Sequence, residues 1–214
     1  MNIKILYEDK HIIVAYKPAG ILSQADSTND PDILSILKEH IKQNENKPGD
    51  VYLGLVHRLD RMTSGLMVFA KRSKSAARLS EQIKNQQFHK EYLCLVEGTI
   101  EKNGHLENYL VKDEKLVKSF VTTKEKGKLA ILDYEVLENL NGKTLLKIKL
   151  KTGRHHQIRV QLANIDHPLV GDALYGKKST ENICLHAYKI SFYHPMTNEY
   201  MEFENYDALF LKRV

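Results

Sequence analysis

Asp60 is the only acid in a stretch otherwise made of cations, hydroxyls and apolar residues, His57-Arg58-Leu59-Asp60-Arg61-Met62-Thr63-Ser64-Gly65-Leu66. An ionised Asp displayed on a loop can attack an electrophilic carbon or stabilise a developing cation, provided rigid elements aim it. A loop Asp is more commonly a turn former, paired at the surface with a neighbour such as Arg58 or Arg61. Thr63, Ser64 and Gly65 turn the chain out of this loop and complete the candidate active-site segment.

The elements around the loop are readable from apolar periodicity and breakers. Residues 3–7 and 11–17 read as strands joined at Glu8-Asp9-Lys10, the second stopping at Lys17-Pro18-Ala19-Gly20. Asp30 as N-cap and Pro31 at the first position predict a helix whose inner face is Ile33, Leu34, Leu37 and Ile41. Leu55-Val56 leads into the Asp60 loop, and the apolar run from Leu66 to Ala70 leads out as a strand. Ser73 caps a second helix running to about Gln87, with Ala76, Ala77, Ser80 and Ile83 inward. A strand apolar on both faces follows at 89–98, then Lys-studded edge strands within 104–124. Residues 130–137 and 144–150 form a hairpin across Asn141-Gly142. The chain then turns through Gly153 into a helical segment, and residues 185–192 and 199–204 close the pattern as a strand pair. Hairpins outnumber strand-helix-strand units. The expected architecture is α+β, a mixed, mostly antiparallel central sheet with a few flanking helices and a basic cleft, in one domain over 1–214.

Composition excludes several classes. With 42% hydrophobic and 28% charged residues in 214, the chain is an ordinary globular sequence with enough material for a sizeable core. No apolar run nears the roughly 20 residues that span a bilayer, and the charged first strand is unlike a signal peptide, so the cytoplasm is the expected location. Cys94 and Cys184 lie in apolar segments without metal-ligand spacing and read as buried thiols. The net charge of +5 is modest but uneven. Lys71, Arg72, Lys74, Arg78, Lys84 and Lys90 face one acid, Glu81, and the six cations from Lys143 to Arg159 face none. Such clusters are usually solvated faces; beside the Asp60 and Gly153 turns they also suit a polyanion.

The chain is similar to the RluA class of RNA pseudouridine synthases. The resemblance rests on His57-Arg58-Leu59-Asp60 with Thr63-Ser64-Gly65-Leu66, on Lys17-Pro18-Ala19-Gly20, on Lys90-Glu91-Tyr92, and on Thr152-Gly153-Arg154 with His156-Gln157-Ile158-Arg159. It continues through His167-Pro168, Gly171-Asp172, Tyr175-Gly176, Leu185-His186-Ala187 and His194-Pro195, all in family order and spanning nearly the whole chain. The small RNA-binding domain that many relatives carry before the catalytic domain is not found ahead of these motifs.

The resemblance implies isomerisation of specific uridines in structured rRNA or tRNA, with Asp60 as nucleophile. It implies Tyr92 packing on the target base and moving a proton, and Arg159 pairing with Asp60 to hold it ionised. A base inside a structured RNA must first be flipped out, at a cost of a few kcal/mol. Arg58 matches the family position that fills the gap left behind. His57, Lys71, Arg72, Arg154 and His156 complete the expected RNA contacts. RNA is the expected partner of a monomer that needs no metal, cofactor or membrane. A kinase reading of His-Arg-Leu-Asp fails because position 65 is Gly where a catalytic-loop Asn would stand, and because no phosphate-binding Gly-rich run exists. A metal hydrolase built on His155, His156 and Asp60 lacks ligand spacing. An RNA-binding module without catalysis is the remaining rival.

Overall fold

The computed structural model describes residues 3–46, 48–177 and 182–206. In chain order its elements are β1 (Ile5–Glu8), β2 (Ile12–Lys17), α1 (Ile33–Asn44), β3 (Gly54–Leu55), β4 (Ser64–Ala70), α2 (Ser73–Lys84) and β5 (His89–Glu97). They continue as β6 (Gly104–Asp113), β7 (Lys118–Thr122), β8 (Lys128–Leu140), β9 (Lys143–Leu150), α3 (Gln157–Ala163), β10 (Leu185–Tyr193) and β11 (Tyr200–Glu204). Contacts group the chain into two compact units, one of residues up to His89 with Ala187–Asn205, the other Lys90–His186. The mostly antiparallel sheet and the three helices are the α+β arrangement expected from the pattern.

In the first unit the strand order is β1-β2-β4-β10, with β3 against β4 and β11 against β10. Every residue of β4 is buried, because its apolar run is covered on both faces. Ile12 and Val14 of β2 join Leu66, Val68 and Ala70 of β4, Leu79 of α2, Phe88, and Ile190 and Phe192 of β10 in one core. Each of the larger side chains contributes on the order of 1.5–3 kcal/mol when fully buried. The antiparallel register runs from Ile12 opposite Ala70 to Lys17 opposite Gly65. The end of β2 is thereby brought to the point where the Asp60 loop enters β4.

Two helix starts differ from the sequence expectation. Asp32, not Asp30, caps α1, its side chain accepting the Ser35 N–H at 2.9 Å, so Pro31 lies outside the helix. Both Asp residues suit the role, and a parallel bridge between Leu22 and Asp32 selects the second. In α2 Ser73 is the first helical residue and Arg72 the cap, without a side-chain hydrogen bond. Its buried positions are Ser75 and Leu79, whereas Ala77 and Ser80 are exposed. Small side chains cast a weak periodic signal, and Leu79 sets the inward face.

In the second unit the strand order is β5-β9-β8-β6-β7. The hairpin of β8 and β9 turns at Asn141 (φ 48°) and Gly142 (φ 79°), the positive pair that a tight two-residue connection requires. The Lys-studded stretch resolves into β6 paired to both β8 and β7, leaving β7 at the end of the order. α3 follows the Gly153 turn, with Gln157 to Leu162 buried.

Gly65 has no tolerable substitute. Its φ of 136° is disfavoured for residues with a Cβ, and an added Cβ would collide with the Ala187 backbone on β10. Gly65→Ala is expected to destabilise by about 2–5 kcal/mol, combining backbone strain and overpacking. Urea unfolding checks this, and a variant as stable as wild type would contradict the register described.

Candidate active site

The Asp60 loop is pinned by backbone contacts on both of its flanks. The hydroxyl of buried Ser23 donates to the Leu59 carbonyl at 2.7 Å and accepts the Leu59 N–H at 3.0 Å. Beyond Asp60, the Arg61 carbonyl accepts from the Gly20 N–H at 2.9 Å and from Lys17 Nζ at 3.1 Å. Arg61 returns a hydrogen bond from Nε to the Gly20 carbonyl at 3.1 Å and pairs with Asp30 at 2.7 Å. Thr63 N–H donates to the Asp60 carbonyl at 3.0 Å, closing the turn. Thr63 is buried, and its hydroxyl has no hydrogen-bond partner among the described residues. The result alternates along the chain: Leu59 is buried, Asp60 is half-buried and Arg58 is exposed. A carboxylate thus projects from a loop whose backbone cannot drift.

Lys17 is the residue in this arrangement whose role sequence reasoning missed. Its side chain is fully buried, and its ammonium donates to the carbonyls of Ile21 at 2.9 Å, Pro18 at 3.1 Å and Arg61. Burial pushes its pKa down to about 7, against the opposing pull of the Asp60 charge. A Lys ending an apolar strand just before Pro-x-Gly was the available signal, and it reads equally well as a strand terminus. Ser23 offered none.

In the second unit, Tyr92 lies buried on β5 and Arg159 lies buried on α3. The Arg159 guanidinium grips Asp172 in a two-pronged pair, Nε to Oδ2 at 2.7 Å and a terminal nitrogen to Oδ1 at 2.9 Å. Asp172 Oδ1 also accepts the N–H groups of Leu174 and Tyr175 at 3.0 and 3.2 Å, so the carboxylate is itself fixed by its loop. The guanidinium carbon lies 5.1 Å from the Tyr175 ring centroid, and Lys118 Nζ lies 4.8 Å from it. Tyr175 Oη accepts the Ser119 N–H at 2.7 Å and shares a hydrogen bond with His156 Nδ1 at 3.0 Å. Asp172 and Tyr175 are visible in the sequence as loop motifs, but nothing in the spacing tells which side chain they hold.

The expected RNA contacts separate into distinct fates. His57 is buried, its Nε2 accepting the Val68 N–H of β4 at 3.1 Å and its ring packed near Phe88. The Lys71 side chain is 9% exposed and its Nζ is clasped by Glu8 and Glu45, both at 2.7 Å. Burial alone would lower its pKa, but the bonds to Glu45 and Glu8 prevail and raise it. Those carboxylates lie far away in sequence, so the local charge count could not include them. His156 is half-buried, bound to Tyr175 and stacked on His155 at 3.8 Å between centroids. Arg154 is exposed, with Nε donating to the Leu129 carbonyl at 2.8 Å. Arg58 and Arg72 are exposed.

Three comparisons bear on this arrangement. Residues 11–164 match the family model described as RNA pseudouridylate synthase. The chain is 37% identical to the ribosomal large subunit pseudouridine synthase D of Borreliella burgdorferi, over 88% of this chain and 60% of that protein. It is 37% identical to an RNA pseudouridine synthase of Aquifex aeolicus, over 94% of this chain and 68% of that protein. The chain therefore spans about two thirds of the length of these curated relatives. The structure of human RNA pseudouridylate synthase domain containing 4 shares the fold, with a TM-score of 0.80 at 22% identity over 97% of this chain and 90% of that one. Among the described residues no helix is long and apolar enough to cross a membrane.

The Lys17 clasp has a pH signature. Between about pH 7 and pH 10.5 the unfolded chain keeps this proton and the folded chain releases it, so the group's contribution to stability rises with pH across that window. Below about pH 7 the charged form is buried at full cost. Lys17→Met should abolish that rise and, by leaving buried carbonyls without a donor, cost about 1–3 kcal/mol at neutral pH. Melting wild type and variant at pH 7 and pH 9 checks both, and parallel pH dependences would show that Lys17 does not titrate in this range.

Proposed function

Because the chain belongs to the RNA pseudouridylate synthase family, we propose that it isomerises uridine to pseudouridine in structured RNA, with Asp60 as the nucleophile. The observation that carries the reading is the Asp60 loop itself, clamped through Leu59 and Arg61 so that a half-buried carboxylate stands beside an exposed Arg58. Positioning of this kind is what a reaction with a tethered substrate base needs.

The reaction breaks the bond from ribose C1′ to base N1, turns the uracil while it stays bound and forms the bond from C1′ to C5. The C5 proton is then lost, and N1 ends protonated. A carboxylate serves by attacking the sugar carbon, or by adding to the base; either route needs Asp60 ionised. Tyr92 supplies the ring on which the base packs and a hydroxyl for proton movement. Arg159, held by Asp172, supplies the cation that favours an ionised carboxylate. Exposed Arg58 carries a planar charged group suited to stack in the gap left by a flipped base. Arg72 and Arg154 are the remaining phosphate contacts.

Large-subunit ribosomal RNA is the first substrate to test, since several relatives are named for it, and transfer RNA is the second. The residues 1–214 act in this reading as a single catalytic domain, a cytoplasmic monomer using no cofactor.

Asp60→Asn should retain fold and RNA affinity and form no pseudouridine, because the amide is nearly isosteric and cannot act as the nucleophile. Wild-type turnover by that variant would remove Asp60 from the nucleophile's role. Tyr92→Phe should slow single-turnover pseudouridine formation by roughly 10²- to 10⁴-fold with affinity preserved. Full-rate turnover would reduce Tyr92 to a packing residue.

A further inference from the structure

Lys90 is a cation that neither the fold nor the proposed chemistry uses. It stands one residue into β5, beyond the last recorded β5–β9 pair, Glu91 opposite Lys149. Strand alternation puts Lys90 and Tyr92 on the same side of β5, about 7 Å apart along the strand, and Glu91 on the other. Its ammonium reaches the Thr152-Gly153-Arg154 turn, where a Cβ on Gly153 would come within 3.3 Å of Nζ. Glycine keeps that approach open.

The turn under this ammonium is braced without its help. Thr152 Oγ1 accepts the Ile131 N–H at 2.7 Å and donates to Gln157 Oε1 at 2.8 Å, and the same oxygen takes the Arg154 N–H at 3.0 Å. Lys90 makes no hydrogen bond or ion pair among the described residues. The acid nearest in sequence, Glu91, faces away, and Asp133 of β8, one strand beyond β9, is held by Lys151 at 2.8 Å and His105 at 2.6 Å. Lys90 keeps part of its surface open to solvent, yet its surroundings disfavour the charge and lower its pKa. A cation enclosed without a counter-charge destabilises the fold, and an arriving anion removes that penalty.

We propose that the Lys90 ammonium, seated over Gly153 on the Tyr92 side of β5, is the receiving site for a backbone phosphate of the RNA. The assignment rests on the reading of the chain as an RNA pseudouridine synthase, since the phosphodiester is the anion such a substrate brings. One pleat separates the group placed on the base from the group placed on the phosphate, so the pair together set how deep the target nucleotide enters.

The test compares wild type, Lys90→Met and Lys90→Arg on large-subunit ribosomal RNA transcribed in vitro. Affinity is measured across a potassium chloride series, with thermal melting in parallel. Lys90→Met should bind about 10-fold more weakly at low salt and lower the log-log salt slope by about 0.7–0.9, the share of one phosphate contact. Lys90→Arg should restore the slope, and Lys90→Met should melt no lower than wild type. A Lys90→Met protein with the wild-type slope and a raised melting temperature would overturn the assignment, leaving Lys90 as an isolated charge. The slope is a binding quantity, so it decides Lys90 whether or not wild type turns over. An RNA-binding wild type that forms no pseudouridine would instead refute the proposed activity.

Discussion

A lysine ammonium in the interior organises the first unit. Lys17 ends a strand packed against the core, and its three hydrogen bonds go to carbonyls on two separate segments, the Pro18–Ile21 turn and the Asp60 loop at Arg61. Burying an ammonium is costly, and three short backbone contacts with a carboxylate nearby are what make it tolerable. The Asp60 loop is fixed through main-chain atoms as a result, without drawing on the side chains of Arg58 or Asp60 for its hold on Lys17 and Ser23. Ser23 repeats the device on the other flank with one hydroxyl that both donates and accepts.

The second unit solves a similar problem with opposite charges. Arg159 is buried on a short helix and would be unstable there alone; Asp172, already bound to two N–H groups of its own loop, supplies a fixed counter-charge. Tyr175 then links this pair to the β6–β7 hairpin and to His156 through its hydroxyl. The loop motif Gly171-Asp172 with Tyr175-Gly176 thus acts as a holder for one guanidinium, and its residues gain their meaning from α3.

The cations illustrate why charge counting along a chain misleads. Lys71 and Arg72 are neighbours, yet Lys71 is enclosed by Glu8 and Glu45 while Arg72 is exposed. Lys151 is spent on Asp133, Arg154 leans on a carbonyl, and Lys90 has no partner among the described residues. A basic cluster therefore offers an incoming anion chiefly those members that the fold leaves without a carboxylate.

The sequence by itself determined the α+β class, the Asn141-Gly142 hairpin, the strand leaving the Asp60 loop and the short helix after Gly153. Each is encoded locally, by periodicity over a few residues or by a backbone conformation that only certain residues adopt. The ordered motifs also identified the family. What tertiary structure decided is which groups meet: Lys17 with Arg61, Ser23 with Leu59, Arg159 with Asp172, Lys71 with Glu8. It also moved the α1 cap to Asp32 and set the inner face of α2 on Leu79. These pairings join residues 13 to 63 positions apart, for which a one-dimensional pattern carries no term. Whether a cation is a clasp or a contact depends on the carboxylates folded against it, and that is a property of packing.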